Sequence, residues 1–146
     1  MRKLLVILLI SVAAIGQAQT IRDAFKAMPD SLTPYLTANN RLDMLDFMDA
    51  KMKAVVTNEL DGQTEMLFLS DDSLSIKMSN ALTLELKVEQ IDTTTVLRLK
   101  RIYHVNHDRA QTILTRYDTS TWQALSTEVL SSTLQRRDEE IKNKYQ

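Results

Sequence analysis

Leu82-Thr-Leu-Glu-Leu-Lys-Val-Glu89 is the stretch that decides the fold. Leu82, Leu84, Leu86 and Val88 share one parity, and Thr83, Glu85, Lys87 and Glu89 share the other. Side chains of an extended chain alternate between two faces, so this octet is a strand with one face in a core and one in water. The same period runs outward in both directions. Upstream, Leu74, Ile76 and Met78 alternate with Ser75, Lys77 and Ser79 behind a turn at Asp71-Asp72-Ser73. Before them, Thr64 to Leu69 follows a tight turn at Asp61-Gly62 and reads as a strand buried on both faces. Downstream, a turn at Asp92-Thr93 opens a long strand, Thr95 to Val105. Leu97, Leu99, Tyr103 and Val105 share its parity and Arg101 breaks it, which predicts a bulge near Lys100-Arg101. Turns at Asn106 to Arg109 and Asp118 to Ser120 bound a strand at Gln111 to Tyr117, and Thr121 to Leu125 reads as a short last strand. Connections this short make hairpins, because parallel pairing needs crossovers of about a dozen residues or more.

In front of the strands the period is helical. Ile21, Ala24, Phe25 and Met28 fall on one face, with Thr20 and Asp23 spaced as an acidic capping box and Pro29 as the stop. Thr33-Pro34 can start a further turn. A second helix is predicted over roughly Arg41 to Val56, capped by Asn39 or Asn40. Leu42, Leu45, Met48, Met52 and Val56 form its stripe, widened by Met44 and Val55. Thr127 to Tyr145 reads as a third helix, with Leu130, Leu134 and Ile141 on its apolar side. Arg136–Glu140, Asp138–Lys142 and Glu140–Lys144 are its i, i+4 pairs. The expected fold is α+β: N-terminal helices packed on an antiparallel meander sheet of five to six strands, with a C-terminal helix.

Arg2 and Lys3 precede an apolar run from Leu4 to Ile15, and Gly16-Gln17-Ala18 puts small residues at the −3 and −1 positions of a cleavage site. That is the layout of a secretory signal peptide over residues 1–18, cut between Ala18 and Gln19. The run is shorter than the ~20 residues a membrane-spanning helix needs, so no stable membrane anchor is expected after cleavage. Residues 19–146 then form a single α+β domain, periplasmic or secreted. Two of the 18 basic residues leave with the leader, so 16 face 19 acidic ones at a net charge of −3. That balance speaks against a nucleic-acid surface or a polybasic membrane patch.

Cysteine is absent, which removes disulfides and lipid attachment through a cysteine. Gly62 is the one glycine beyond the leader. Phosphate-cradling loops and nucleophile elbows need glycines where backbone meets ligand or turns sharply, so neither can be written here. Asp43, Asp46 and Asp49 drift about 60° per step around a helix and could be read as a cation site. Their simpler reading is a dipole-complementing Asp43, a solvated Asp46 and an Asp49 paired with Lys53. His104 and His107, with Asp108, read as a surface hairpin rather than a metal site, since on one strand the two histidines would face opposite ways and would converge only if the Asn106 turn folded them together. Met44, Met48 and Met52 form a flexible ridge that reads as core. Tyr117 and Trp122 read as core aromatics, and Asp71-Asp72 as a solvated turn. No catalytic residue, cofactor or metal is assigned.

The segment Asp30 to Asp49 carries more hydrogen-bonding groups than capping requires. Its polar surface of Ser31, Tyr35, Asn39, Asn40 and Arg41 is the candidate partner-binding patch, and the partner expected is an envelope protein or peptide. Phe25-Lys-Ala-Met-Pro-Asp-Ser-Leu-Thr-Pro-Tyr-Leu36 and Asn40-Arg-Leu-Asp-Met-Leu-Asp-Phe47 resemble a family of small exported Bacteroidales proteins catalogued as a domain of unknown function. Val56-Thr-Asn-Glu-Leu-Asp-Gly62 and Tyr117-Asp-Thr-Ser-Thr-Trp122 follow the same pattern. The likeness is good over residues 21–70, looser through the strands and weak after Thr127. It implies export from a Gram-negative, gut-type bacterium and no known activity. The expected function is a non-catalytic, exported interaction module of the cell envelope. A periplasmic carrier of a small apolar ligand, gripped by the methionine ridge, stands second, and a carboxylate hydrolase third.

Overall fold

The computed structural model describes residues 19–106 and 109–130. The expected leader, His107, Asp108 and most of the expected C-terminal helix lie outside the described residues. The elements are α1 (Ile21–Ala27), a single 3-10 turn (Asp30–Leu32), α2 (Ala38–Asp49), β1 (Ala54–Thr57), β2 (Gln63–Leu69), β3 (Ser73–Lys77), β4 (Leu82–Ile91), β5 (Thr94–Asn106), β6 (Arg109–Asp118) and β7 (Ala124–Leu130). All seven strands join one antiparallel sheet in the order β1-β2-β3-β4-β5-β6-β7.

The architecture is therefore mostly β, and it corrects the α+β expectation of five to six strands with a C-terminal helix. Two segments account for the difference. Ala54–Thr57 continues the apolar spacing of α2, yet α2 ends at Asp49. Lys51 takes φ 56°, and the Met52 amide turns back to the Phe47 carbonyl at 2.9 Å, so the chain reverses before Ala54. Ala-Val-Val-Thr then pairs with β2, where its β-branched residues fit a pleated surface better than a helix. Thr127–Leu130 is strand, not helix. Thr127 and Val129 lie opposite Thr115 and Ile113 of β6, cross-strand partners that a helix would forgo.

Thr20 and Asp23 form the capping box their spacing predicts, with the Asp23 amide on Thr20 Oγ1 and the Thr20 amide on Asp23 Oδ2, both at 3.2 Å. α2 is capped by Thr37, not Asn39 or Asn40. The Asn40 amide donates to Thr37 Oγ1 and Asn40 Oδ1 accepts from the Thr37 amide, both at 3.1 Å. The Ile21 amide donates to the Asp71 carbonyl at 3.0 Å, which ties the start of α1 to the β2–β3 turn.

The helices cover one face of the sheet. Register places Met66 opposite Ile76, Ile76 opposite Leu84, and Leu86 opposite Leu99 on that face. These residues are buried with Ile21, Phe25, Met44 and Leu45 in a single apolar cluster. Burying each large aliphatic side chain is worth about 1.5–3 kcal/mol, so this face supplies most of the stability. The opposite face is solvated and crossed by ion pairs, including Glu85–Lys100 at 2.9 Å, Glu89–Arg98 at 2.9 Å and Glu128–Arg116 at 3.0 Å.

Two details of the strands differ from the alternation. β2 is not buried on both faces: Leu67 and Phe68 are exposed, and the register with β3 shifts between Met66 and Phe68. Through Lys100 and Arg101 the β5 register is regular. Its irregularity lies between His104 and Asn106, where β5 pairs with β6. Arg101 keeps the core parity by reaching from the helix-covered face to the Tyr117 hydroxyl at 3.1 Å.

Candidate interaction surface

The turn between the two helices is assembled around Arg41. Its side chain is 2% exposed. Nη2 donates to the Met28 carbonyl at 2.8 Å. Nη1 donates to Asp30 Oδ1 at 2.6 Å, Thr33 Oγ1 at 3.2 Å and the Leu36 carbonyl at 3.4 Å. The guanidinium carbon sits 6.0 Å from the centre of the Phe25 ring, within cation–π range. A planar fork of donors can gather carbonyls that no intrahelical bond reaches, so one side chain fixes the chain between Met28 and Leu36. Nε alone is buried with no partner.

This frame holds Tyr35 at φ 66°. A bulky residue in the left-handed region costs on the order of 1–3 kcal/mol and persists only where its surroundings impose it. Trp122, the other aromatic residue at positive φ (57°), packs against the core, which accounts for its conformation. Tyr35, 53% exposed, is the third residue of the Thr33–Leu36 turn, closed by the Leu36 amide on the Thr33 carbonyl at 3.1 Å, and behind Pro34 that position takes positive φ. Its carbonyl accepts from the Glu59 amide at 2.9 Å, so the β1–β2 turn is clasped to the helix–helix turn. Asn58 braces that second turn. Its Oδ1 accepts from the amides of Leu60 (2.9 Å) and Gly62 (3.1 Å), and Nδ2 donates to Thr64 Oγ1 at 3.1 Å. A Cβ at residue 62 would lie 3.1 Å from Asn58 Nδ2, so a side chain there would press on the amide that braces the turn. Leu60, 64% exposed, stands at the margin of the same surface.

The five residues of the sequence-derived patch thus separate. Ser31, Tyr35 and Asn39 face solvent. Asn40 is half-buried, committed to the Thr37 cap, with Nδ2 3.4 Å from the Thr57 carbonyl. Arg41 points inward and presents no guanidinium to a partner. Leu60 and Glu59 were not singled out from sequence. The Asn58-to-Gly62 spacing, the makings of an Asx-braced turn, was the available signal.

The other candidates are dispersed. Met44 is buried in the core, Met48 is half-buried, and Met52 is 58% exposed beyond the helix, so they form no continuous ridge. Asp49 pairs through both oxygens with Arg22 (2.5 and 3.0 Å), while Lys53 reaches Glu65 at 3.8 Å. Asp43 and Asp46 are solvated. His104 Nε2 meets Thr83 Oγ1 at 3.0 Å on the exposed end of the β4–β5 pair. Among the described residues no three His, Cys, Asp or Glu side chains converge as a metal site, and no helix is long and apolar enough to cross a membrane. A groove of about 550 Å³ runs beside Lys53, Leu60, Glu65 and Lys77, and one of about 240 Å³ beside Phe68, Glu85, Lys87 and Arg98. Met44, Met48 and Met52 line neither. The carboxylates held below their usual range are Asp23, Asp72 and Asp118. Each is lowered chiefly by a side-chain hydroxyl, from Thr20, Ser73 and Ser120 respectively. These are exposed turn and cap acids, the reverse of a general acid raised by burial.

The model of the family described as "Protein of unknown function (DUF3256)" matches residues 13–144. The chain belongs to that family. A solved domain of an uncharacterized protein from Porphyromonas gingivalis W83 shares the DUF3256 chain's fold with a TM-score of 0.58 at 21% identity. The likeness covers 72% of this chain and 52% of that one, so the chain spans about half the length of the solved structure. No curated protein matches. The resemblance read from residues 25–62 and 117–122 is thus to the family the chain belongs to, and the solved neighbour is a Bacteroidales protein.

Proposed function

We propose that this DUF3256 protein is an exported, non-catalytic binding module of the cell envelope. Its contact surface would be the pair of clasped turns carrying Ser31, Tyr35, Asn39, Glu59 and Leu60. The observation that carries the reading is Tyr35: an exposed aromatic residue is held in a costly backbone conformation by a buried cation and a neighbouring turn. A turn that fixes an exposed tyrosine pre-organises it for contact, and tyrosine with a flanking leucine supplies apolar area at small entropy cost. Export is supported by the leader-like residues 1–18, and a protein or peptide occupant by the exposure of Tyr35 and Leu60 on two neighbouring turns.

The test is a photo-cross-linker placed at residue 35 in the exporting cell, with the same group at exposed Gln111 as control. The surface predicts one defined adduct from residue 35, none from 111, and loss of that adduct in Leu60→Ser. Equal labelling from both positions, or a co-purified ligand of a few hundred daltons in native mass spectrometry, would overturn the reading. The second result would favour a carrier.

A further inference from the structure

On the face of the sheet away from the helices, β3 turns out small side chains. Ser73, Ser75 and Lys77 share the outward parity, with Ser79 following in the turn, while Leu74, Ile76 and Met78 are buried. The neighbouring strands carry longer groups there: register sets Phe68 and Glu85 on either side of Ser75, and Glu65 and Thr83 on either side of Lys77. Serines between taller neighbours leave a trench. Ser73 and Ser75 line the groove of about 240 Å³, and Lys77 and Ser79 the one of about 550 Å³, so the two follow one another along β3. Phe68 reaches the trench through the β2 bulge. The register shift between Met66 and Phe68 puts Phe68, rather than Leu67, opposite Ser75 and leaves its ring 51% exposed. Re-aiming a side chain at a site is a recurrent use of a bulge.

The charges around this trench are uneven. Lys53, Lys77, Lys87, Arg98 and Lys100 line the two grooves against Glu65 and Glu85, in a chain with one more acid than base. Arg98 and Lys100 are held at 2.9 Å by Glu89 and Glu85. The other three are less committed: Lys53 reaches Glu65 at 3.8 Å, Lys87 reaches Asp72 at 3.7 Å, and Lys77 forms no ion pair among the described residues. Exposed pairs are worth about 0–1 kcal/mol, so these ammonium groups can turn to an incoming anion at little cost.

We propose that the trench binds an acidic polysaccharide, a glycan chain carrying carboxylate or sulfate groups. Lys53, Lys77 and Lys87 pair with its charges, the serine hydroxyls exchange hydrogen bonds with its own, and Phe68 presents the negative face of its ring to the C–H face of a sugar. The lysines name an anion, and the backbone names its kind. β2, β3 and β4 are interior strands whose amides and carbonyls are engaged in the ladders, so the trench offers side-chain groups only. An extended acidic peptide takes main-chain partners from a sheet edge and finds none on this face. A glycan has no amide backbone to satisfy, and its hydroxyls can be met by side chains alone.

The purified full chain, expressed with its own leader, is titrated by biolayer interferometry against immobilised polygalacturonate, heparin, neutral dextran and polyglutamate. Binding is expected to polygalacturonate, to heparin or to both, which separates carboxylate from sulfate recognition, and to neither dextran nor polyglutamate. Lys77→Gln and Lys87→Gln should each weaken it by about tenfold, as loss of one charge-assisted hydrogen bond does. Lys77→Arg should restore it, and Phe68→Ser should weaken it with no change of charge. Lys26→Gln, exposed on α1 on the other side of the sheet, should leave it unchanged. No binding to either acidic glycan, equal binding to polyglutamate, or an equal loss in Lys26→Gln would overturn the inference. The residues changed lie outside the Tyr35 surface, so failure here leaves the contact at the clasped turns standing.

Discussion

Replacing Arg41 by methionine separates the two roles this residue could have. Methionine keeps an unbranched apolar stem beneath Phe25 and deletes the guanidinium. The Met28 carbonyl loses its 2.8 Å donor inside the fold, while Thr33 Oγ1 and the Leu36 carbonyl still have each other at 3.5 Å. Asp30, 64% exposed at its side chain, returns to water at little cost. Removing one member of a buried charged pair costs about 3–5 kcal/mol, and orphaning a buried carbonyl about 1–3 kcal/mol. The solvation open to Asp30 trims the larger figure, and recovery of the buried cation's desolvation trims it further. The expected loss is about 3 kcal/mol, from a total on the order of 5–15 kcal/mol. With a urea m-value of about 1–3 kcal/mol/M, the midpoint should fall by roughly 1–3 M. Urea unfolding followed by Trp122 fluorescence and far-ultraviolet circular dichroism measures it. Asp30→Asn, which keeps an acceptor on an exposed side chain, should cost under about 1 kcal/mol. An Arg41→Met midpoint within about 0.5 kcal/mol of wild type would refute the organising role and return the guanidinium to the binding surface.

Three further perturbations follow the same logic. Thr37→Ala removes the side-chain acceptor of the Asn40 amide and should lower stability by about 1 kcal/mol in the same assay, whereas Asn39→Ala should change it little. Met44→Ala opens a void in the core and should cost about 2–5 kcal/mol, while Met52→Ala should stay within about 0.5 kcal/mol, as thermal melts of the two would show. Asp23, Asp72 and Asp118 have folded pKa values below the ordinary 3.8, so their contribution is fully present above that value and is lost as pH falls through the lower, folded ones. Melting temperature should therefore drop as the buffer is taken below about pH 4, and Ser120→Ala should shrink the part of that drop due to Asp118.

Local order was readable from the sequence wherever one physical signal stood unopposed. The period of two in Leu82–Glu89 fixed a strand and its buried side, because the pleat leaves no other placement for four aliphatic residues in alternation. Thr20 and Asp23 set a helix start because hydroxyl and carboxylate satisfy amides three residues apart whatever lies beyond. Where two signals overlapped, distant contacts decided. Lys51 to Thr57 suits a helix by spacing and a strand by its branched side chains, and only β2 as a partner settles it. Thr127 to Leu130 carries helix-compatible spacing into a charged tail, but Thr115 and Ile113 beside it make it an edge strand.

The candidate surface divides in the same way. Its exposed members, Ser31, Tyr35 and Asn39, lie where polarity and turn residues placed them. Arg41 does not, since periodicity puts a charge on the solvent side and shifts the buried stripe to Leu42, Leu45 and Met48. Burying that charge requires acceptors from Met28, Asp30, Thr33 and Leu36 to converge, and that convergence exists only once the turn has folded. The clasp of Tyr35 to Glu59 is likewise a product of packing between segments more than twenty residues apart. Side-chain alternation and capping act within a few residues and are written in the sequence. The free energy that holds a cation inside, an aromatic ring outside and a strand at an edge comes from neighbours that only the tertiary structure brings together.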